Sequence, residues 1–273
     1  MSNCHSIQRI TECGLTCSQE VHCKIKPSPD ILNLFCRPPP LNILPTVLEN
    51  LKVSTVMKCK EKNRCSLYLN IKGTVTIDAH IRGVEICTTA LSTSQNLCTS
   101  VRFSRNKIKN MPKIHIQYNC FEVGVAQQVY VTMKTIPYFC NVELARQYTV
   151  EDCQNQDVGK NVLSCLTGKL DYMVDEEKKV ITVHVSDILK DFNYNVRLCL
   201  KHFTCQDTGA FAQIKKEDVA KSASLPYSEI VPCLCIEGWS AFPDSRRIRL
   251  CPFKNGGGLL HVPVNFNSSE LCN

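Results

Sequence analysis

Pairs of the type C-x2-C are absent from this 273-residue chain, although nineteen of its residues are cysteine. Cysteine-rich zinc proteins repeat such tight pairs, so their absence argues against a metal-built fold. The close spacings include C-x3-C (Cys13, Cys17), C-x5-C (Cys59, Cys65 and Cys199, Cys205 among them) and a single C-x-C (Cys233, Cys235). Thiols in this number have little structural use in a reducing compartment, so a disulfide framework and an extracellular address are expected. An odd count leaves at least one thiol free or paired outside the chain.

Catalytic signatures are missing as well. No H-E-x-x-H, G-x-S-x-G or phosphate-loop pattern occurs. The glycines at 256–258 lack the following Lys-Ser/Thr that would hold a phosphate, and the seven histidines are scattered. No enzyme, metal or cofactor is therefore expected. No apolar run approaches the roughly 18 residues of a membrane span. The amino terminus also lacks the apolar centre of a signal peptide, so a chain cut from a longer precursor is the simplest expectation. One sequon, Asn267-Ser-Ser, agrees with an extracellular address.

Acidic residues are missing from one interval. Between Glu85 and Glu122 there is no Asp or Glu, whereas Arg102, Arg105, Lys107, Lys109 and Lys113 all fall there. "RFSRNKIKN" reads as a loop between strands and so as a positive patch at one end of a sandwich. Such a patch suits an acidic protein surface or a sulfated polysaccharide; the plainer reading is a solvated loop. Nucleic acid is disfavoured, because aromatic residues are not interleaved with the cations.

What is present is strand-like alternation. "SLYLNIKG" (66–73), "KIHIQYNCFEV" (113–123) and "QQVYVTMKTIP" (127–137) form a first series, with Ile114, Ile116 and Tyr118 on one face. "KKVITVHVSD" (178–187) directs Ile181, Val183 and Val185 inward. "FNYNVRLCLKH" (192–202) does the same with Tyr194, Val196, Leu198 and Leu200, and "RRIRLCPF" (246–253) closes the second series. Short runs at this spacing indicate antiparallel sandwiches rather than βαβ units. "VDEEKK" reads as a hairpin tip, and 207–228 has room for one or two helical turns. The length suits two domains. The expected division is a cysteine-containing leader at 1–35, a first domain at 36–147 after the proline-rich "CRPPPLNILP", a second at 148–254 and a tail at 255–273.

The apolar run "LPYSEIVPCLCIEGWS" places Cys233 and Cys235 on the same side of a strand, about 7 Å apart at Cα. That exceeds the usual ~4.4–6.8 Å of a disulfide, so each looks to a different partner. Metal ligation with Cys251 would need reduced sulfur, which the compartment disfavours.

"IQYNCFEVGVAQQVYVTMKTIPYFC" (116–140), "YTVEDCQNQDVGKNVLSC" (148–165), "NVRLCLKHFTC" (195–205) and "VPCLCIEGWSAFPDSRRIRLCPF" (231–253) together resemble the ectodomain of the interleukin-17 receptor family, nearest to its receptor E branch. The resemblance runs from about residue 36 to 253. It implies an all-β, disulfide-rich chain of two fibronectin type III-like antiparallel β-sandwiches in tandem. It further implies recognition of an interleukin-17-family cystine-knot dimer, interleukin-17C for the E branch, with a receptor A-type chain as second partner. Arg105, Lys107, Lys109 and Lys113 would fall in a cytokine-proximal loop, and Tyr130 matches a tyrosine near the end of a sheet. Cys233 and Cys235 would anchor two disulfides, with Cys251 a partner for one. Cys59–Cys65, Cys153–Cys165 and Cys199–Cys205 are the local pairs expected. A soluble receptor and an ectodomain fragment fit equally well. The alternative is a secreted glycosaminoglycan- or matrix-binding protein acting through the basic loop.

Overall fold

The computed structural model describes residues 6–18, 22–26, 33–61, 64–104, 113–243 and 245–254. The chain divides into two compact units, Met1–Val162 and Leu163–Asn273.

The first unit contains β1 (Gln8–Ile10), β2 (Leu15–Cys17), β3 (Cys23–Lys26), β4 (Leu48–Glu61), β5 (Arg64–Thr76), β6 (Gly83–Ala90), β7 (Asn96–Phe103), β8 (Lys113–Val123), β9 (Gln128–Ile136) and β10 (Glu143–Thr149). They form two sheets, β1-β4-β5-β8-β2 and β10-β9-β6-β7-β3. Alternation along β8 sends Ile114, Ile116 and Tyr118 into the core, where Leu69, Ile71, Val75, Ile86 and Met133 are also buried. A short helix α1 (Gln156–Asn161) follows, its amino end capped by Asn155 Oδ1, which accepts from Asp157 N and Val158 N at 2.9 and 3.2 Å.

The second unit contains β11 (Lys169–Asp175), β12 (Val180–Ser186), β13 (Tyr194–Lys201), β14 (Cys205–Ile214), β15 (Ser222–Pro226), β16 (Leu234–Ser240) and β17 (Ile248–Leu250), in sheets β11-β12-β15 and β14-β13-β16-β17. Its core holds Ile181, Val183, Val185, Tyr194, Val196, Leu198, Leu225 and Ile236.

The strand order of the two units is the same. Numbering β4–β10 and β11–β17 each from one to seven, strands 1-2-5 make one sheet and strands 4-3-6-7 the other. This is the seven-strand, fibronectin type III-like sandwich, present twice in tandem. The described parts of the 1–35 leader are built into the first sandwich. β1 runs parallel to β4, and β2 and β3 run antiparallel to β8 and β7.

Disulfides pin neighbouring strands at Cys59–Cys65, Cys87–Cys98, Cys199–Cys205 and Cys235–Cys251. Long-range bridges join Cys13 to Cys120 and Cys36 to Cys140, and Cys17–Cys23 closes the β2–β3 link.

Two local expectations are corrected. Residues 207–228 hold no helical turn: they complete β14 and form β15, because hairpin pairing with β13 and the ladder to β12 override a weakly patterned segment. Cys233 lies in the turn before β16 and not on the strand beside Cys235.

Candidate ligand-binding surface

One end of the first sandwich gathers the β5–β6 connection, the β9–β10 connection and a strap over 33–47. Three prolines at 38–40 keep the strap out of regular structure, so its position is set by side chains and a bridge. The Asn33 amide donates to Thr135 O and Glu85 Oε2 at 3.3 and 3.4 Å and accepts from Tyr138 N at 2.7 Å. Arg37 N donates to Tyr138 O and Cys140 N to Arg37 O, both at 2.9 Å, beside the Cys36–Cys140 bridge. Asn42 Nδ2 reaches Asp78 Oδ2 at 2.7 Å, and the other Asp78 oxygen accepts from His80 N at 2.8 Å.

The strap and the two connections enclose a cleft of about 400 Å³ lined by Arg37, His80, Arg82, Arg102 and Phe139, with no carboxylate among its lining residues. Arg37 and Arg82 make no ion pair among the described residues. The strap also carries exposed apolar side chains: Leu34 at 66%, Phe35 at 82%, Leu41 at 106% and Leu44 at 64%. Exposed large apolar groups next to arginines are the composition of protein-binding surfaces, where aromatic and Arg anchors carry most of the energy. In sequence, Phe35 and Arg37 straddle a cysteine just before three prolines, a signal that periodicity does not capture.

Lys113 opens β8, and its amine lies 2.6 Å from Glu49 Oε2 in a solvent-facing ion pair. Arg105, Lys107 and Lys109 belong to the β7–β8 connection and lie outside the described residues, as does Asn267. Tyr130 is half-exposed on β9. Cys59 is bonded to Cys65, Cys199 to Cys205 and Cys235 to Cys251, while Cys153, Cys165 and Cys233 are disulfide-bonded too.

In the second unit one carboxylate organises the outer face of the four-stranded sheet. Glu237 on β16 is 3% exposed and sits opposite Arg197 on β13 and Arg249 on β17. Glu237 Oε2 accepts from Arg197 Nε at 2.8 Å and from Arg247 Nη1 at 3.2 Å, and Oε1 accepts from Arg249 Nη2 at 2.9 Å. The Arg247 and Arg197 guanidiniums lie 4.1 and 5.6 Å from the Trp239 ring centroid. Burial alone would raise the Glu237 pKa. Hydrogen bonds from Arg249 and Arg197, the charge of Arg197 and the hydrogen bond from Arg247 outweigh it and hold the carboxyl below its ordinary value. The Cys199 and Cys205 sulfurs come within 4.8 Å of this carboxylate, a metal-like grouping. Being bonded to each other, those sulfurs offer no thiolate to an ion. Among the described residues no helix is long and apolar enough to cross a membrane.

Comparison with known proteins shows the family of the chain. The family model "Interleukin-17 receptor extracellular region" matches residues 57–258. Mouse interleukin-17 receptor C is 24% identical over 83% of this chain and 35% of its own length. Human interleukin-17 receptor C is 26% identical over 51% of this chain and 17% of its own length. The chain thus spans about a third or less of the curated relatives it matches. Among solved structures, the BSP domain of a biofilm-associated protein aligns at TM-score 0.29 and 7% identity, covering 77% of this chain and 52% of that one. Chicken CNTN1 FN1–FN3 aligns at TM-score 0.21 and 12% identity, covering 73% and 62%. With the family-model match spanning most of both sandwiches, the chain belongs to the interleukin-17 receptor extracellular-region family.

Proposed function

We propose that this extracellular chain is the ligand-recognition module of a cytokine receptor. Its ligand is an interleukin-17-type cystine-knot dimer, with interleukin-17C the first to test, and a receptor A-type chain is its co-receptor. It acts as a soluble receptor or as the ectodomain of a signalling one. The observation that carries the reading is the strap surface, where exposed Phe35 and Leu41 flank a cleft lined by no carboxylate, with Arg37 and Arg82 in no ion pair among the described residues. An apolar anchor beside guanidiniums suits an acidic, partly apolar protein surface. Arg105, Lys107 and Lys109, which follow β7 in sequence, would extend its charge.

The test is binding of the oxidised chain to a panel of interleukin-17-type dimers in physiological salt. One dimer should bind saturably below micromolar. Phe35→Ala with Leu41→Ala should weaken it about 30-fold or more, the weight of a ~2 kcal/mol hot spot. Both side chains are exposed, so the fold should be untouched. Absence of sub-micromolar binding to every dimer by correctly folded chain would remove the proposal.

A further inference from the structure

The outer face of the five-stranded sheet holds a second cationic feature, separate from the strap cleft. Residues directly opposite on neighbouring strands share a face, and one row across β4, β5, β8 and β2 reads Lys52, Lys72, Gln117, Thr16. The adjacent row brings Thr74 Oγ1 to 3.1 Å from His115 Nδ1, and Ser18 Oγ accepts from His115 N at 2.7 Å. Gln117 is oriented by donating to Asn70 Oδ1 at 2.8 Å. Together these residues line a trough of about 540 Å³ without an acidic side chain among them.

The two lysines are the anomaly. Like charges directly opposite on neighbouring strands destabilise a sheet, and neither Lys52 nor Lys72 has a carboxylate within ion-pair distance among the described residues. The register that opposes them depends on an irregularity between Glu49 and Lys52, where Asn50 takes a φ of 57°. Guarding a strand edge explains Lys52, because β1 pairs with β4 only at Val56–Lys58. It does not explain Lys72, which lies on β5 with β4 on one side and β8 on the other. Uncompensated charge at a central strand is a cost that a bound anion would relieve.

We infer that this trough binds a segment of sulfated polysaccharide. Sulfate groups pair with Lys52 and Lys72, and sugar hydroxyls meet Gln117, Thr16 and Ser18. The composition favours a sugar over an acidic peptide: the lining is amides, hydroxyls and cations, and none of the exposed large apolar side chains lies in it. The row crosses four strands, about 14 Å at ~4.8 Å per step, the reach of a short oligosaccharide. Two of the donors come from the amino-terminal segment, so β2 builds the site as well as extending the sheet. The inference does not rest on cytokine binding.

The experiment is heparin-oligosaccharide binding by the full oxidised chain at graded salt. Lys52→Gln with Lys72→Gln should weaken binding tenfold or more at physiological salt and flatten its ionic-strength dependence. Lys72→Glu should abolish binding while raising the thermal midpoint, because it converts a repulsive pair into an attractive one. That opposite movement of stability and affinity is not expected of a merely structural lysine. Cytokine binding by the double variant should stay at the parent level. Unchanged heparin affinity in the folded double variant would overturn the inference. So would loss of affinity confined to Arg105/Lys107/Lys109 or Arg37/Arg82 substitutions, equal competition by desulfated heparin, or tighter binding of a polyglutamate peptide than of heparin.

Discussion

Replacing Glu237 by Gln tests whether the second sandwich is organised around a single buried charge. The substitution keeps shape and one acceptor oxygen but removes the counter-charge of three guanidiniums. Arg247 and Arg249 are 47% and 34% exposed, so their pairs are largely screened and each contributes about 0–1 kcal/mol. Arg197 is 17% exposed against a Glu237 that is 3% exposed. Stranding a buried charge of that kind typically costs about 3–5 kcal/mol. The retained amide oxygen lowers the expectation to roughly 2–3 kcal/mol, since one hydrogen bond of about 1 kcal/mol can persist. For a unit of this size that is roughly 10–20 °C in Tm. The chain has a single tryptophan, and it is Trp239, on the network itself. Fluorescence-monitored melting therefore reports this unit alone. Arg247→Gln should shift the midpoint by only a few degrees. A Glu237→Gln variant melting within a degree or two of the parent would refute the reasoning, as would an Arg247→Gln variant melting as low as Glu237→Gln.

Acid should act on the same group. The folded-state pKa of Glu237 is depressed, so its stabilisation is full above the unfolded value of about 4.3 and is lost as pH falls through the lower folded one. The Trp239 midpoint should thus hold steady from neutral pH to about 5 and fall below about 4, with a smaller fall in Glu237→Gln. Tyr194 Oη donates to Thr167 O at 2.7 Å, and burial pushes its pKa well above the ordinary value; Tyr194→Phe should cost about 1 kcal/mol by denaturant titration. Gly83→Ala places a methyl group against the backbone carbonyl of Val101 on the neighbouring strand. Backbone cannot move aside as a side chain can, so loss of folded protein on expression is the expected outcome. Removing Cys36–Cys140, separated by 104 residues, should cost roughly 5 kcal/mol, against roughly 2 for Cys199–Cys205, separated by 6. Equal losses in chemical denaturation would contradict that ordering.

Much of the fold is legible where a strand has one wet face. The run at 113–123 coincides with β8, and Ile181, Val183 and Val185 are buried as alternation requires. The hairpin tip at "VDEEKK" forms with Lys178 N donating to Asp175 Oδ1 at 3.0 Å. Three-residue strands such as β1 and β2 are too short to show a period, and their placement depends on partners far along the chain. β14 is invisible for another reason: Asp207, Gly209 and Ala210 are poor strand formers, and the strand is held by ladder pairs with β13 on either side of a bulge that takes up Gly209 and Ala210. The strap cleft and the lysine row depend on convergence of Arg37 with Arg82, and of Lys52 with Lys72, across loops and register. Neither follows from local composition. Of the acid-free interval after Glu85, Arg102 lines the strap cleft, whereas Lys113 is committed to Glu49.

The interlacing of the amino-terminal segment with the first sandwich sets the order in which the protein can mature. Synthesis delivers Cys13, Cys17 and Cys23 well before Cys120, so Cys13 must wait for a partner 107 residues later, while Cys17 and Cys23 are 6 apart. Early oxidation therefore favours the short bridge and leaves Cys13 open to wrong partners until β8 emerges. Escape from such mispairing runs through thiol–disulfide exchange. Yield of native protein should accordingly depend on an isomerising, mildly oxidising environment more steeply than for a sandwich whose bridges are all local.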